Sequence, residues 1–442
     1  MSAAFRRPGA PASPDPSGSP GAPASPDPSR SPGAPASPDP LGSPGALGAS
    51  GAPASPDRPD GTPAACDDCL RRTDLIAALG GWLDVEWRRR QAPGRVLGLG
   101  DDVLLAAAAD PAVRRRYEAF EPDVARALIA ARGLDAACRC DERYPAALRD
   151  LPDPPAVLHV AGSIDHVGLP DSVAVVGARR ASDYGLTVAR DVGRALSAVG
   201  VSVVSGLALG VDAAAHTGAL EITGRHERPP LQLAPERAAP PSRSAPPVAV
   251  LAGGADRPYP ASKRRLHAAV RGAGAVVSEL PPGYGVHRWA FVARNRLIAA
   301  LARVVVVVEA TERSGSLTTA DFGAELGRTV AAVPGRVTCR LAEGTNGLLR
   351  DGAVVARGPV DVLDALAELT GGRYEAPGRA PAAVEPRLGR LLDAIGEGHS
   401  TLPMLAAHGL DPRAALIGLG ELEARGLVRR GFGGRYELTF LP

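Results

Sequence analysis

The hydrophobic pattern changes character twice along the chain. Between residues 172 and 352, short unbroken apolar runs recur at 173–176, 201–204, 248–251, 275–277, 304–308 and 330–333. Most are followed by a turn of Gly or other small residues and then by apolar positions at helical spacing, as in 187–198 and 213–220. Strands that are apolar at consecutive positions, not alternate ones, are buried on both faces, which predicts a parallel sheet covered by helices on each side. The fold class is therefore α/β: an extended, Rossmann-like, doubly wound parallel sheet. Upstream, residues 69–133 place Leu75, Ile76, Leu79 and Leu83 on one helical stripe and are punctuated by Gly80-Gly81 and Gly100, which predicts several short helices. The run 157–160, approached through Pro152, Pro154 and Pro155, reads as an edge strand. Downstream, residues 384–442 read as helix, turn, helix and two short strands joined at Gly433-Gly434, the outline of a winged helix.

The chain thus divides into an arm (1–64), a helical domain (65–135), the α/β domain (136–370) with a surface insertion over 223–247, a linker (371–383) and the winged-helix domain (384–442). The arm is a twelve-residue repeat, GAPASPDPSGSP, GAPASPDPSRSP and GAPASPDPLGSP, which is too poor in apolar residues to offset the entropy of ordering and is expected to be disordered. Basic and acidic residues nearly balance at 50 and 48, so any nucleic-acid surface must be local. Lys263 is the one lysine, and against so strong an arginine bias only position can mark an arginine as functional. Five cysteines without a signal peptide suit a reducing cytoplasm, and the apolar run 304–308 is too short to span a bilayer. Cys66, Cys69, Cys138 and Cys140 would make a four-thiolate zinc site only if the two pairs meet across the helical domain; spared surface thiols are the alternative, and no metal or cofactor is expected.

In an open parallel sheet, ligands gather beyond the carboxyl ends of the strands. Three loops there are unusual. The first, VVGARRASDYG, combines Gly177 and Ala178 with the forked donors of Arg179 and Arg180, and offers Ser182 or Asp183 as a helix cap. The second, VVSGLALGVDAAAH, is small at Ser205, Gly206, Ala208 and Gly210 and leads into a helix whose first amides suit an anion. The third places Ser314, Gly315 and Ser316 before another helix. G-x-G-x-x-G is missing after the first strand and G-x-x-x-x-G-K-[ST] is missing throughout, so dinucleotides and P-loop hydrolysis are disfavoured. Nucleic-acid phosphates remain the natural occupant.

The segments VAVVGARRASDYG, VVSGLALGVDAAAHTGAL, VAVLAGGADRPYP, ARNRLIAAL and VVVVEATERSGSLTTA, in this order and with GTNGLLRDGA after them, resemble the DNA-processing protein A (DprA, or Smf) family. The resemblance implies a non-catalytic, homodimeric protein that binds single-stranded DNA, protects incoming strands in natural transformation and helps load the RecA recombinase. It puts DNA-backbone contact on Gly177, Ala178 and Arg179, with the Ser205-Gly206 and Gly253-Gly254 loops nearby and Arg294, Asn295 and Arg296 on the rim. The family often has Ser where Ala178 stands, so the cradle is expected to rely on backbone amides and arginine. Asp212 and His216, at i and i+4, are expected to be a structural pair; Glu309 is expected to pair with Arg294 or Arg296; Tyr259 and Trp289 are candidates for base stacking.

Two other functions compete. A nucleotide N-glycosidase of related fold would carry PGG-x-GT-x-x-E, which is absent. A duplex-binding regulator would read DNA with residues 412–425, but Arg413 and Arg425 are accompanied there by Glu421 and Glu423, leaving Arg429, Arg430 and Arg435 for phosphate contact by the wing.

Overall fold

The computed structural model describes residues 65–90, 96–223, 244–374, 385–424 and 427–438. The repeat arm, most of the expected insertion and most of the linker lie outside them. The described part of residues 65–131 includes the helices α1 (Asp67–Ala78), α2 (Gly80–Arg90), α3 (Asp101–Ala108), α4 (Pro111–Glu118) and α5 (Pro122–Ala131). The Leu stripe legible in the sequence is the buried face: Leu75, Leu79, Leu83 and Leu104 are at most 3% exposed. Each such side chain contributes roughly 1.5–3 kcal/mol by leaving water.

The centre of the molecule is a nine-stranded sheet, ordered β1-β2-β6-β5-β4-β3-β7-β8-β9. Its strands are β1 (Asp135–Cys138), β2 (Val157–Gly162), β3 (Ser172–Val176), β4 (Ser202–Ser205), β5 (Val248–Val250), β6 (Ala275–Ser278), β7 (Val304–Val307), β8 (Thr329–Ala332) and β9 (Val354–Val355). The pairs from β6 to β9 are all parallel, while β2 is antiparallel to both β6 and β1. The valines of β3 and β7 alternate between two apolar clusters: Val173, Val175, Val304 and Val306 face one layer of helices, Val176, Val305 and Val307 the other. That two-sided burial is what the unbroken runs encoded. The run at 157–160 is a correction: β2 lies inside the sheet, and β1, whose sequence DAAC carries no strand signature, forms the edge.

Helices α6 (Ala146–Arg149), α7 (Asp183–Ala198), α8 (Val211–Thr223), α9 (Arg264–Ala273), α10 (Arg288–Ala300), α11 (Leu317–Glu325), α12 (Glu343–Arg350) and α13 (Pro359–Thr370) complete this region. The helical domain is joined to it through α10. Trp289, Ala290 and Ala293 pack into the same apolar cluster as Leu75, Leu79 and Leu83. Asp84 of α2 accepts the Trp289 amide at 3.0 Å and faces His287 Nδ1 at 3.1 Å, supplying an acidic cap to a helix start that has no cap of its own.

Residues 385–438 add α14 (Pro386–Gly396), α15 (Leu402–Ala407), α16 (Pro412–Ala424) and an antiparallel pair, β10 (Val428–Arg430) and β11 (Tyr436–Leu438), joined through Gly433 and Gly434 at φ 73° and 72°. Among the described residues no helix is long and apolar enough to cross a membrane.

Candidate nucleic-acid interface

The chain runs from β3 outward to β4, β5 and β6, then returns across β3 to begin β7 on its other side. The loops after β3 and β7 therefore diverge, and a crevice opens between them at the carboxyl edge, where open α/β sheets bind ligands. A cavity of about 350 Å³ fills this crevice, lined by the loop Gly177–Arg180, by Thr311 and Ser314–Ser316, by Asp212, and by Phe291, Arg294, Asn295 and Ile298 of α10. A side pocket of about 100 Å³ continues past Arg179 and Phe291 to Gly206, Leu251, Tyr259 and Pro260. A separate cavity of about 400 Å³ between α1, α4 and α5 is mainly apolar, and its arginine, Arg116, is held by Asp74 at 2.6 Å, so it offers no free cation to a phosphate.

The first loop starts with Gly177, where any Cβ would lie 2.9 Å from the Glu309 carbonyl. Ala178 then donates its amide to that carbonyl at 2.7 Å and accepts from the Val211 amide at 3.2 Å. The Ala178 amide is thereby engaged, so the expectation that backbone amides replace the missing hydroxyl does not hold at this residue. What faces the cleft is the exposed pair Arg179 and Arg180. The Arg179 guanidinium lies 4.7 Å from the centre of the Phe291 ring. Ser182 caps α7 through its hydroxyl, which accepts from the Gly185 amide at 3.2 Å.

Glu309 corrects a second expectation. It pairs with neither Arg294 nor Arg296: its carboxylate takes the Ser182 amide at 2.8 Å and the Ser182 hydroxyl at 2.5 Å, bracing the first loop from behind.

The second loop is an anion cradle whose anion is already supplied. The Asp212 carboxylate accepts the amides of Gly206 at 3.1 Å and Ala208 at 3.3 Å. Burial pushes the Asp212 carboxyl above its usual range, while Arg294 and the two amides act to hold the charge. Arg294 crosses directly under Gly206, where a Cβ would fall 1.4 Å from Nη1, and donates to the Val250 carbonyl at 3.0 Å. Burial lowers its guanidinium to about 10, opposed by Asp212 and assisted by Arg179, so it remains a cation at neutral pH on the cleft floor. Gly210 turns the chain into α8 at φ 76°, backed against the Ala178 carbonyl. Ser205 is fully buried with its hydroxyl on the Val175 carbonyl at 2.6 Å, which removes it from phosphate contact. His216 is fully buried, held down to about 4 by loss of solvent, and no hydrogen bond joins it to Asp212, so the expected i, i+4 pair is not formed.

The third loop brings Ser314 and Ser316 together at 2.8 Å at the start of α11, which has no side-chain cap. Asn295 ties it to α10 through the Gly315 carbonyl at 3.0 Å and Thr318 Oγ1 at 2.7 Å. Gly253 and Gly254 lie next to the Tyr284 carbonyl, which accepts the Gly254 amide at 3.0 Å, and are not among the residues lining the two cavities.

Of the remaining expectations, Arg296 is overturned: it is 2% exposed and ion-paired with Asp153 at 2.8 Å and Glu279 at 2.7 Å. Trp289 is likewise fully buried and unavailable for stacking. Tyr259 is 47% exposed at the side-pocket mouth, its ring 5.6 Å from Phe291. Phe291 is the residue sequence reasoning missed. Its signal was present: Phe291, Arg294, Asn295 and Ile298 follow i, i+3, i+4, i+7 and share one face of α10, whereas Trp289, Ala293 and Arg296 share the opposite face.

Fold and crevice together define a Rossmann-like α/β protein with two arginines, Arg179 and Arg180, that have no ion-pair partner among the described residues, and a helix N-terminus, at its topological switch point. Residues 135–367 match the family described as DNA recombination-mediator protein A. The chain belongs to that family. A putative DNA processing protein DprA of Mycobacterium tuberculosis (strain ATCC 25618 / H37Rv) is 38% identical over 280 residues, spanning 62% of this chain and 66% of that protein. The DNA processing protein DprA of Streptococcus pneumoniae (strain ATCC BAA-255 / R6) is 35% identical over 266 residues, 60% of this chain and 86% of the relative. The X-ray structure of DNA processing protein A from Streptococcus pneumoniae superposes with a TM-score of 0.51 at 30% identity, covering 67% of this chain and 95% of that one.

Proposed function

We propose that this chain is a cytoplasmic, non-catalytic DNA-processing protein that holds single-stranded DNA by its backbone in the crevice between β3 and β7, and that as a homodimer it passes the strand to a RecA recombinase. The observation that carries the DNA reading is the pair Arg179 and Arg180, exposed at the crevice with no carboxylate partner among the described residues, Arg179 laid over an aromatic ring. Phosphate engages the forked donors while Phe291 and Tyr259 offer flat surfaces to a neighbouring base, a contact open to unstacked bases and closed to those inside a duplex. A crevice of about 350 Å³ suits a single strand and not a double helix. The carboxylate lining the crevice, Asp212, is engaged by the Gly206 and Ala208 amides, and Glu309 behind the first loop is engaged by Ser182, which disfavours either as a general base and supports a binding role over glycosidic cleavage. The recombinase and homodimer parts of the reading rest on the family resemblance.

The C-terminal unit, three helices followed by a β-hairpin, fits a winged helix. Its α16 presents Leu416 and Ile417 at 54% and 59% exposure beside Glu421 and Glu423, a surface suited to protein docking and unsuited to phosphate. The test of the whole reading is fluorescence anisotropy with a labelled oligothymidylate and a duplex of equal length. Preference for the single strand is expected, with affinity falling with salt by a log–log slope of about 0.7 per neutralised phosphate; equal binding of the duplex, or release of free base from a nucleotide panel, contradicts it.

A further inference from the structure

We propose that Cys66, Cys69, Cys138 and Cys140 bind one zinc(II) ion through four thiolates, tying the start of α1 to the edge strand β1. The expectation of spared surface thiols fails on geometry. Cys69 and Cys138 are 2% and 3% exposed, and the four Sγ atoms lie within 4.8 Å of one another, Cys69 and Cys140 at 3.9 Å. Four sulfurs bound tetrahedrally at about 2.3 Å from one ion sit roughly 3.8 Å apart, so only a slight contraction completes the site. A disulfide requires about 2.05 Å and joins two thiols, leaving the convergence of all four without a purpose. A two-iron cluster would interpose a second metal and bridging sulfides between two pairs of thiolates, which so compact a set does not admit.

The two ligand pairs come from turns of different kinds. Cys66 immediately precedes α1 and Cys69 lies in its first turn, so the C-x-x-C spacing puts both on one side of a helix start whose dipole favours thiolates. Cys138 ends β1, and the Asp141 amide donates to its carbonyl at 2.8 Å, closing a turn that brings Cys140 back beside it. An arginine clamps the backbone of each turn. Arg126 donates to the Ala65 carbonyl at 2.9 Å; Arg149 donates to the Arg139 carbonyl at 2.5 Å and to that of Asp141, on either side of Cys140. Four thiols bind Zn²⁺ with release of four protons and no change of oxidation state, leaving a site of net charge minus two. Cys140 is exposed, which gives the ion a route in.

The full chain, expressed in zinc-supplemented medium and purified without chelator, is analysed by elemental and native mass spectrometry. One zinc per chain is expected, kept in Cys339→Ser and lost in Cys140→Ser and Cys69→Ser, with circular dichroism confirming that the exposed Cys140 variant stays folded. Cobalt(II) in place of zinc should give the intense thiolate-to-metal absorption of a four-sulfur site. Wild-type protein with no metal and four freely alkylated thiols overturns the proposal, as does a Cys69–Cys140 disulfide in its place, or iron with sulfide. The wild-type stoichiometry decides the matter even if a variant fails to fold.

Discussion

The guanidinium of Arg179 rests 4.7 Å from the centre of the Phe291 ring, and this contact joins the loop after β3 to the cleft-lining face of α10. Stacking of this kind is worth about 0.5–1 kcal/mol at exposed sites and fixes the direction of the fork without neutralising it. Phe291→Leu should therefore weaken single-strand binding several-fold by removing both the platform and a stacking surface, while thermal unfolding stays close to wild type. Anisotropy titration beside a melting curve checks both halves.

Gly206 exists for Arg294. A methyl group there would sit 1.4 Å from Nη1, and the buried guanidinium, engaged by the Val250 carbonyl, has little room to withdraw. Gly206→Ala should cost about 1–3 kcal/mol, typical of overpacking, and should lower DNA affinity by displacing a cation from the cleft floor. Urea unfolding reads the first effect; an unchanged midpoint would show that the loop yields.

Arg296 separates structural arginines from binding ones. Arg296→Met leaves the buried Asp153 and the partly buried Glu279 without their cation, and breaking such a pair costs about 3–5 kcal/mol. The folded fraction should bind oligothymidylate as the wild type does. A selective loss of binding at unchanged stability would return Arg296 to the interface.

Two buried imidazoles make the fold acid-sensitive. Burial holds His159 and His216 down to about 4, against 6.5 when unfolded. With the folded value depressed, the unfolded chain binds more protons between those two pH values, so stability is full above about 6.5 and falls as pH drops toward 4. Linkage puts the loss at roughly 3 kcal/mol per residue. The urea midpoint should fall between pH 7 and pH 5, and His216→Gln should flatten that dependence.

The sheet was legible because burial on both faces leaves a mark on every residue of a strand: β3 to β8 fall within two residues of their apolar runs. β1 and β9 escaped because DAAC is short and mostly Ala, and Val354-Val355 is only a dipeptide at the far edge. At the site, the loops were legible and the free donors were not. Whether an amide or carboxylate is available depends on partners remote in sequence, as when Glu309 takes Ser182, and no spacing rule reports that. Arg296 was misplaced for a readable reason: two residues along a helix from Arg294 lies the opposite face.

The central claim is that the crevice between β3 and β7 holds the strand, and the most direct test is a crystal structure of the chain with a short oligothymidylate. The account predicts phosphates within hydrogen-bonding distance of Arg179 and Arg180 near the start of α11, with Phe291 or Tyr259 against a base. A strand bound elsewhere, with those two arginines facing solvent, would contradict it.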